Sequence, residues 1–169
     1  KNTYYPHIPF WKGQDLKNKR ILVFEDQGIG DSIQFSKFLF LLNNICEDIR
    51  LEVRESTLAL FKKNILHLKT FEKGKNKNSD CDYKISFASL NNFFFKYKNG
   101  IKEKLFQIDK EIKFKWKNKI NSKKFKIGLT WSGSFHGVNE PYRSIKLSSL
   151  NEILSLNCEF FCLQKDIWE

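Results

Sequence analysis

Arg20-Ile-Leu-Val-Phe-Glu-Asp-Gln-Gly-Ile-Gly-Asp-Ser-Ile-Gln-Phe35 carries the strongest fold signal in the chain. Its apolar run, residues 21–24, reads as a buried strand. Gly28 and Gly30 place a short loop behind that strand, and helical apolar spacing begins at Asp31. Strand, glycine loop and helix start, in that order, put a reactive or ligand-binding group at the carboxyl edge of a parallel sheet. Asp31 stands where this geometry aims a carboxylate into a crevice. The loop lacks the full G-x-G-x-x-G spacing, and no Gly-Lys-Ser/Thr follows, so neither a dinucleotide fingerprint nor a P-loop is supported. Two roles for Asp31 stay open on local pattern. It can cap the following helix, or act as a general base toward a sugar hydroxyl held within about 3 Å.

On its N-terminal side, residues 1–19 are aromatic and proline-rich around Trp11 and predict an extended, packed lead-in with Trp11 as its anchor. Residues 31–43 predict a helix buried on more than one side, capped by Gly30 or Asp31, with Gln34 three residues on. A second strand over 50–53 and a helix over 55–68, capped by Ser56, follow. The lysine-rich stretch 69–82 reads as a loop, 83–87 as a third strand and 89–97 as a capped helix or buried turn. Residues 98–100 read as a turn, the irregular stretch 103–116 fits no element, and 116–122 suits a short joining helix. Residues 126–131 begin a new strand; a loop to 146, a helix over 148–156 and a strand over 159–163 repeat the opening order. The fold class is therefore α/β with a parallel, doubly wound sheet.

Hydrophobic residues make up 41% of the 169, enough for a core, yet no run reaches the roughly 20 apolar residues of a membrane span. The start, Lys1-Asn-Thr-Tyr-Tyr-Pro, has no signal-peptide core, and the chain contains no methionine, which predicts a piece excised from a longer protein. A net charge of +11 would suit an anionic partner. The lysines are spread from Lys12 to Lys126 rather than gathered in a stripe, which fits lysine-rich coding better than nucleic-acid binding. Cys46, Cys81, Cys158 and Cys162 have no CxxC spacing, so buried free thiols in a reducing compartment are expected, and no metal site.

The second loop, Trp131-Ser-Gly-Ser-Phe-His-Gly-Val-Asn-Glu-Pro-Tyr-Arg-Ser144, follows a strand and leads to a helix. An arginine beside a serine before a helix suits a phosphate. His136 reads either as a phosphate donor or as a residue that holds the loop together.

Together the two loops resemble a known family. Pro9-Phe-Trp-Lys-Gly-Gln-Asp-Leu16 is similar to the lead-in of bacterial glycosyltransferase-like domains that follow tetratricopeptide repeats. Residues 25–35 resemble their first signature, Glu-Gln-Gly-Leu-Gly-Asp-Thr-Ile-Gln-Phe. Ile127-Gly-Leu-Thr-Trp-Ser-Gly133, His136 and Arg143-Ser-Ile-Lys-Leu147 resemble the second, closed by Phe161-Cys-Leu-Gln-Lys165. These domains are relatives of the heptosyltransferases, glycosyltransferase family 9, with the GT-B fold of two Rossmann-like domains. Order and spacing match along most of the chain, with 69–122 contributing little. Asp26-Gln27 stands where the family has Glu-Gln, and Asn139-Glu140 is displaced ahead of Pro141-Tyr142.

The resemblance implies an acceptor-side domain over 1–120 and the start of a donor-side domain over 121–169, with tetratricopeptide repeats upstream in the intact chain. It implies a cytoplasmic enzyme that moves a sugar from a nucleotide-sugar donor to a glycan or protein acceptor, without metal or other cofactor, and a fragment inactive alone. Asp31 matches the aspartate proposed as catalytic base, and Gly28 and Gly30 match the turn presenting it. Gln34, Ser132, His136, Arg143 and Ser144 complete the substrate-binding set, with Arg143 and Ser144 foremost toward the diphosphate. The alternatives are a non-catalytic Rossmann-like module that binds a glycan or protein and, on the charge alone, a nucleic-acid-binding domain.

Overall fold

A computed structural model of the chain describes residues 5–75, 80–100, 106–133 and 144–164, with backbone alone at 98–100. The chain divides into two compact units, Lys1–Gln107 and Ile108–Glu169.

The first unit is built on four parallel strands in the order β3-β2-β1-β4. These are β1 (Arg20–Phe24), β2 (Asp48–Val53), β3 (Lys69–Glu72) and β4 (Tyr83–Ser86). In register, Ile21 lies beside Ile49 and Tyr83, and Val23 beside Leu51 and Ile85. Side chains alternate between faces along a strand. Ile21, Val23, Ile49, Leu51, Val53 and Ile85 therefore share one face, where they pack into a single core with Phe38, Leu42, Phe61, Phe87, Leu90 and Phe94.

Those aromatic and leucine residues come from the helical segments that follow the strands. Between β1 and β2 run α1 (Ile29–Phe35), a 3-10 turn (Ser36–Phe38) and α2 (Leu39–Asn43). Between β2 and β3 runs α3 (Glu55–Asn64), and α4 (Phe87–Phe94) follows β4 at once. A 3-10 turn over Phe95–Gly100 occupies the expected turn.

The other face carries Leu22, Arg50, Glu52, Lys84 and Ser86. Ile8 and Cys81 close over Leu22. The lead-in runs along the edge of β4: Lys84 N–H donates to Pro9 O at 2.9 Å, and Trp11 N–H donates to Lys84 O at 2.9 Å. Covering an edge strand this way removes its unpaired amides from solvent. Trp11 anchors the segment against Phe93, ring centroids 4.4 Å apart, and its Nε1 donates to Gln14 O at 2.8 Å. Beneath, Lys84 is buried, donates from Nζ to Tyr5 O at 2.7 Å and lies over the Phe10 ring. Burial holds its ammonium below the usual lysine value.

Several expectations need correction. Lys69–Glu72 is a strand, not loop. Parallel pairing with β2, Arg50 to Lys69 and Val53 to Glu72, overrides its polar composition at the sheet edge. The helix after β1 begins at Ile29 and is interrupted at Ser36. The third helix stops at Asn64 rather than Leu68, and its N-cap is Arg54, not Ser56. The helix after β4 starts at Phe87, capped by Ser86, whose Oγ accepts from Ser89 N–H at 3.2 Å.

The second unit holds α5 (Lys110–Lys119), β5 (Phe125–Leu129), a 3-10 turn (Leu147–Leu150), α6 (Asn151–Leu154) and β6 (Cys158–Cys162). β5 and β6 pair in parallel, Phe125 beside Cys158 through Leu129 beside Cys162. The irregular stretch before Trp116 resolves into α5, whose start is held by Asp109 Oδ1 accepting Glu111 N–H at 2.9 Å. None of the described residues in this unit is buried. The cysteines are free, but only Cys46 and Cys81 are buried; Cys162 is exposed.

Candidate functional site

The strand order places a topological switch at β1. The chain leaves β1 toward β2, and after β3 returns to β1's other side as β4. Ligands of open α/β sheets bind outside the carboxyl ends of the strands at such a point. The β1–α1 loop and the β4–α4 junction flank it, and α1 and α4 pack against each other.

Glu25 builds the β1–α1 loop. It follows an apolar strand directly and is 0% exposed, so its charge must be met inside the protein. Oε2 accepts from Arg54 N–H at 2.9 Å, with Arg54 Nε 3.7 Å away, and Oε1 accepts from Thr57 Oγ1 at 2.9 Å. One carboxylate thus ties the end of β1 to the N-terminus of α3. Lys73 Nζ donates to Glu25 O at 2.9 Å, and Arg54 Nη2 donates to Gln27 O. Sequence reading placed no role on Glu25, Arg54, Thr57 or Lys73. The available signal was a carboxylate continuing a buried strand without a break.

Gly28 is the N-cap of α1, with extended backbone at φ −69°, and Asp31 is the third helical residue. Asp31 Oδ2 accepts the Gly28 N–H at 2.9 Å. This carboxylate-to-backbone bond is half of a capping box; glycine has no side chain to return the other half. The cap expected at Gly30 or Asp31 therefore sits at Gly28, and the pairing of Asp31 with Gln34 is replaced by Asp31 with Gly28. Asp31 is half-buried, and its Oδ1 has no hydrogen bond among the described residues. Gln34, three residues on, shares its side of the helix and is exposed. Neither glycine of the loop has positive φ. Gly30 lies within α1, and a Cβ there would meet no atom within 4 Å.

In the second unit the loop after β5 is held at both ends. Gly133 N–H donates to Ser144 Oγ at 3.2 Å, and Ile145 N–H donates to Trp131 O at 2.9 Å. Gln164, missed by sequence reading, binds the same loop. Thr130, Trp131, Ser132, Gly133 and Ile145 line a cleft of about 350 Å³. Among the described residues, Ser132 Oγ is buried without a hydrogen-bond partner. His136 and Arg143 lie outside the described residues. The expected set thus falls in two groups, Gly28, Gly30, Asp31 and Gln34 on the β1–α1 segment and Ser132 and Ser144 at the β5 loop.

Among the described residues, no three His, Cys, Asp or Glu side chains converge on a metal position, and no helix is long and apolar enough to cross a membrane. The sheet order and the β1–α1 loop define the class: a Rossmann-like α/β protein. No family profile matches the chain, and comparisons with curated proteins and with solved structures give no match.

Proposed function

We propose that the chain is the acceptor-side domain and the beginning of the donor-side domain of a GT-B glycosyltransferase related to the heptosyltransferases. The observation that carries this reading is the half-buried Asp31 carboxylate in the first turn of α1, beyond the carboxyl end of β1 and beside the switch point, with Oδ1 unengaged among the described residues. Such an oxygen can take a proton from an acceptor hydroxyl. The acceptor oxygen then bonds to the anomeric carbon of the donor sugar, the bond from that carbon to the nucleoside diphosphate breaks, and the proton ends on Asp31. Gly28, Gly30 and Gln34 serve the acceptor. Ser132, Ser144, His136 and Arg143 serve the diphosphate, where donors fixed in place stabilise departing charge.

Asp31→Asn in the intact protein tests the reading. Asparagine can still accept the Gly28 N–H, so the helix cap and thermal midpoint should hold. Transfer from a panel of nucleotide-sugars should fall by about 100-fold or more, the contribution of a positioned base. Unchanged turnover removes Asp31 from catalysis.

One observation favours a second reading, a non-catalytic glycan- or protein-binding module. Asp31 Oδ2 already serves the fold, and the amides of Trp131, Ser132 and Gly133 are already bonded within the second unit. That module would bind its partner and release no nucleoside diphosphate from any donor.

A further inference from the structure

We propose that Gln164 is the positioning residue of Trp131 and Ser132 at the start of the β5 loop, fixing their backbone so that Ser132 is placed for a phosphate oxygen of a nucleoside diphosphate; the ligand rests on the glycosyltransferase reading above. The β5–β6 ladder closes with Leu163 N–H donating to Leu129 O at 2.9 Å. One residue beyond, the side chain of Gln164 takes over. Its Oε1 accepts from Trp131 N–H at 3.1 Å and Ser132 N–H at 3.2 Å, and its Nε2 donates to Ser132 O at 3.1 Å. A primary amide carries one oxygen with two lone pairs and an NH₂ with two hydrogens. Here it acts as a peptide group does in a sheet, on a stretch that no longer belongs to a strand.

This bonding decides what the loop can offer a ligand. The amides of Trp131 and Ser132 go to Gln164 and that of Gly133 to Ser144, so none of the three is the phosphate donor. Ser132 Oγ remains, buried and unpaired among the described residues, on a residue that lines the 350 Å³ cleft. A buried hydroxyl left unpaired costs free energy, which a ligand oxygen restores when the Ser132 side chain turns about χ1 into the cleft. Gln164 itself is a spectator to the ligand, and acts by sparing the loop the cost of ordering when the ligand arrives. Glutamate keeps the two acceptor bonds and loses the donor, whereas methionine keeps the length and loses all three.

The test compares wild type, Gln164→Met and Gln164→Glu in the full-length protein. Hydrogen exchange at the amides of Trp131 and Ser132 reports the hold on the loop. Calorimetric titration with UDP, GDP, CDP and ADP reports ligand binding, and the thermal midpoint controls for folding. Gln164→Met should lose protection at both amides and bind the preferred diphosphate about tenfold more weakly while still unfolding in one cooperative transition, the scale of one to two net hydrogen bonds. Gln164→Glu should keep protection at both amides. Unchanged protection in Gln164→Met overturns the proposal, as does lost protection with unchanged affinity. If wild type binds none of the four diphosphates, the glycosyltransferase reading and this ligand both fall, and exchange alone decides whether Gln164 holds the loop.

Discussion

Asp31 and Glu25 are two carboxylates six positions apart with opposite surroundings. Glu25 is buried and spends both oxygens on the N-terminus of α3. Asp31 is half-buried and spends one on Gly28. Among the described residues only the second keeps an oxygen for a substrate, so the candidate base is Asp31, in the first turn of α1, and not Glu25, in the loop before it. Gly30 offers a clean probe of that site. Its backbone is helical and a Cβ meets nothing, so the fold has no use for the glycine. Gly30→Ala should stabilise α1 by about 0.5–1 kcal/mol, the helix-interior preference for alanine. Urea unfolding measures the gain, and transfer or ligand binding by the same protein measures whether a substrate needs the space. A variant that is more stable and less active places substrate against α1; one destabilised by more than 1 kcal/mol refutes the open geometry.

The interrupted helix after β1 shows how an element answers to its neighbours. Apolar residues from Ile33 to Leu42 predict one continuous helix, yet the chain tightens into a 3-10 turn at Ser36–Phe38. Ser36 is buried, and its Oγ donates to Ile33 O at 2.6 Å, a local bond that competes with the regular helical ladder. The turn sends Phe38 into the core, 0% exposed, with its ring 6.3 Å from that of Phe94. Phe38→Ala should cost about 3–5 kcal/mol, the range for truncating a buried phenylalanine. A loss under 1 kcal/mol in urea unfolding would mean that α1 and α2 pack without it. Strand β3 answers to its neighbours as well. Lys69 and the lysines that follow the strand hide its pattern in the sequence, while Lys69 Nζ, 3.5 Å from Asp48, and Lys75 Nζ, 3.0 Å from Glu72, place charge along an exposed edge.

Across the whole chain the +11 charge hides a balanced cluster at the amino ends of β1 and β2. Arg20 and Arg50 both reach Asp80, and Arg20 N–H donates to Asp82 Oδ2 at 2.8 Å. That backbone bond, with Lys19 and Arg20 nearby, holds the Asp82 carboxyl below the ordinary aspartate value. The Arg50 guanidinium does the same for Asp80. A carboxyl lowered in the folded state adds stability above its unfolded value, near 3.9, and that stability is lost as pH falls through the folded value. Asp82→Asn should therefore flatten the decline of stability from about pH 4 downward and change its slope little near neutrality. Urea midpoints measured against pH check this; an identical acid slope in the variant would deny Asp82 its part.

Local sequence pattern is enough for the α/β class, the strand at Ile21–Phe24, the glycine loop behind it and the two segments that hold the candidate site residues. These follow from local pattern, because a buried strand must be apolar and a loop must break that run. The identity of the cap at Gly28, the burial of Glu25, the strand at Lys69–Glu72 and the hold of Gln164 on Ser132 were decided by tertiary structure alone. Most depend on a partner distant in the chain, as Glu25 does on Thr57 and Gln164 on Trp131, while the cap at Gly28 depends on where the chain enters the helix. Asp31 lies between the two cases. Its residue type and position are written in the sequence, but that one oxygen is bound and the other open is a fact of three-dimensional geometry.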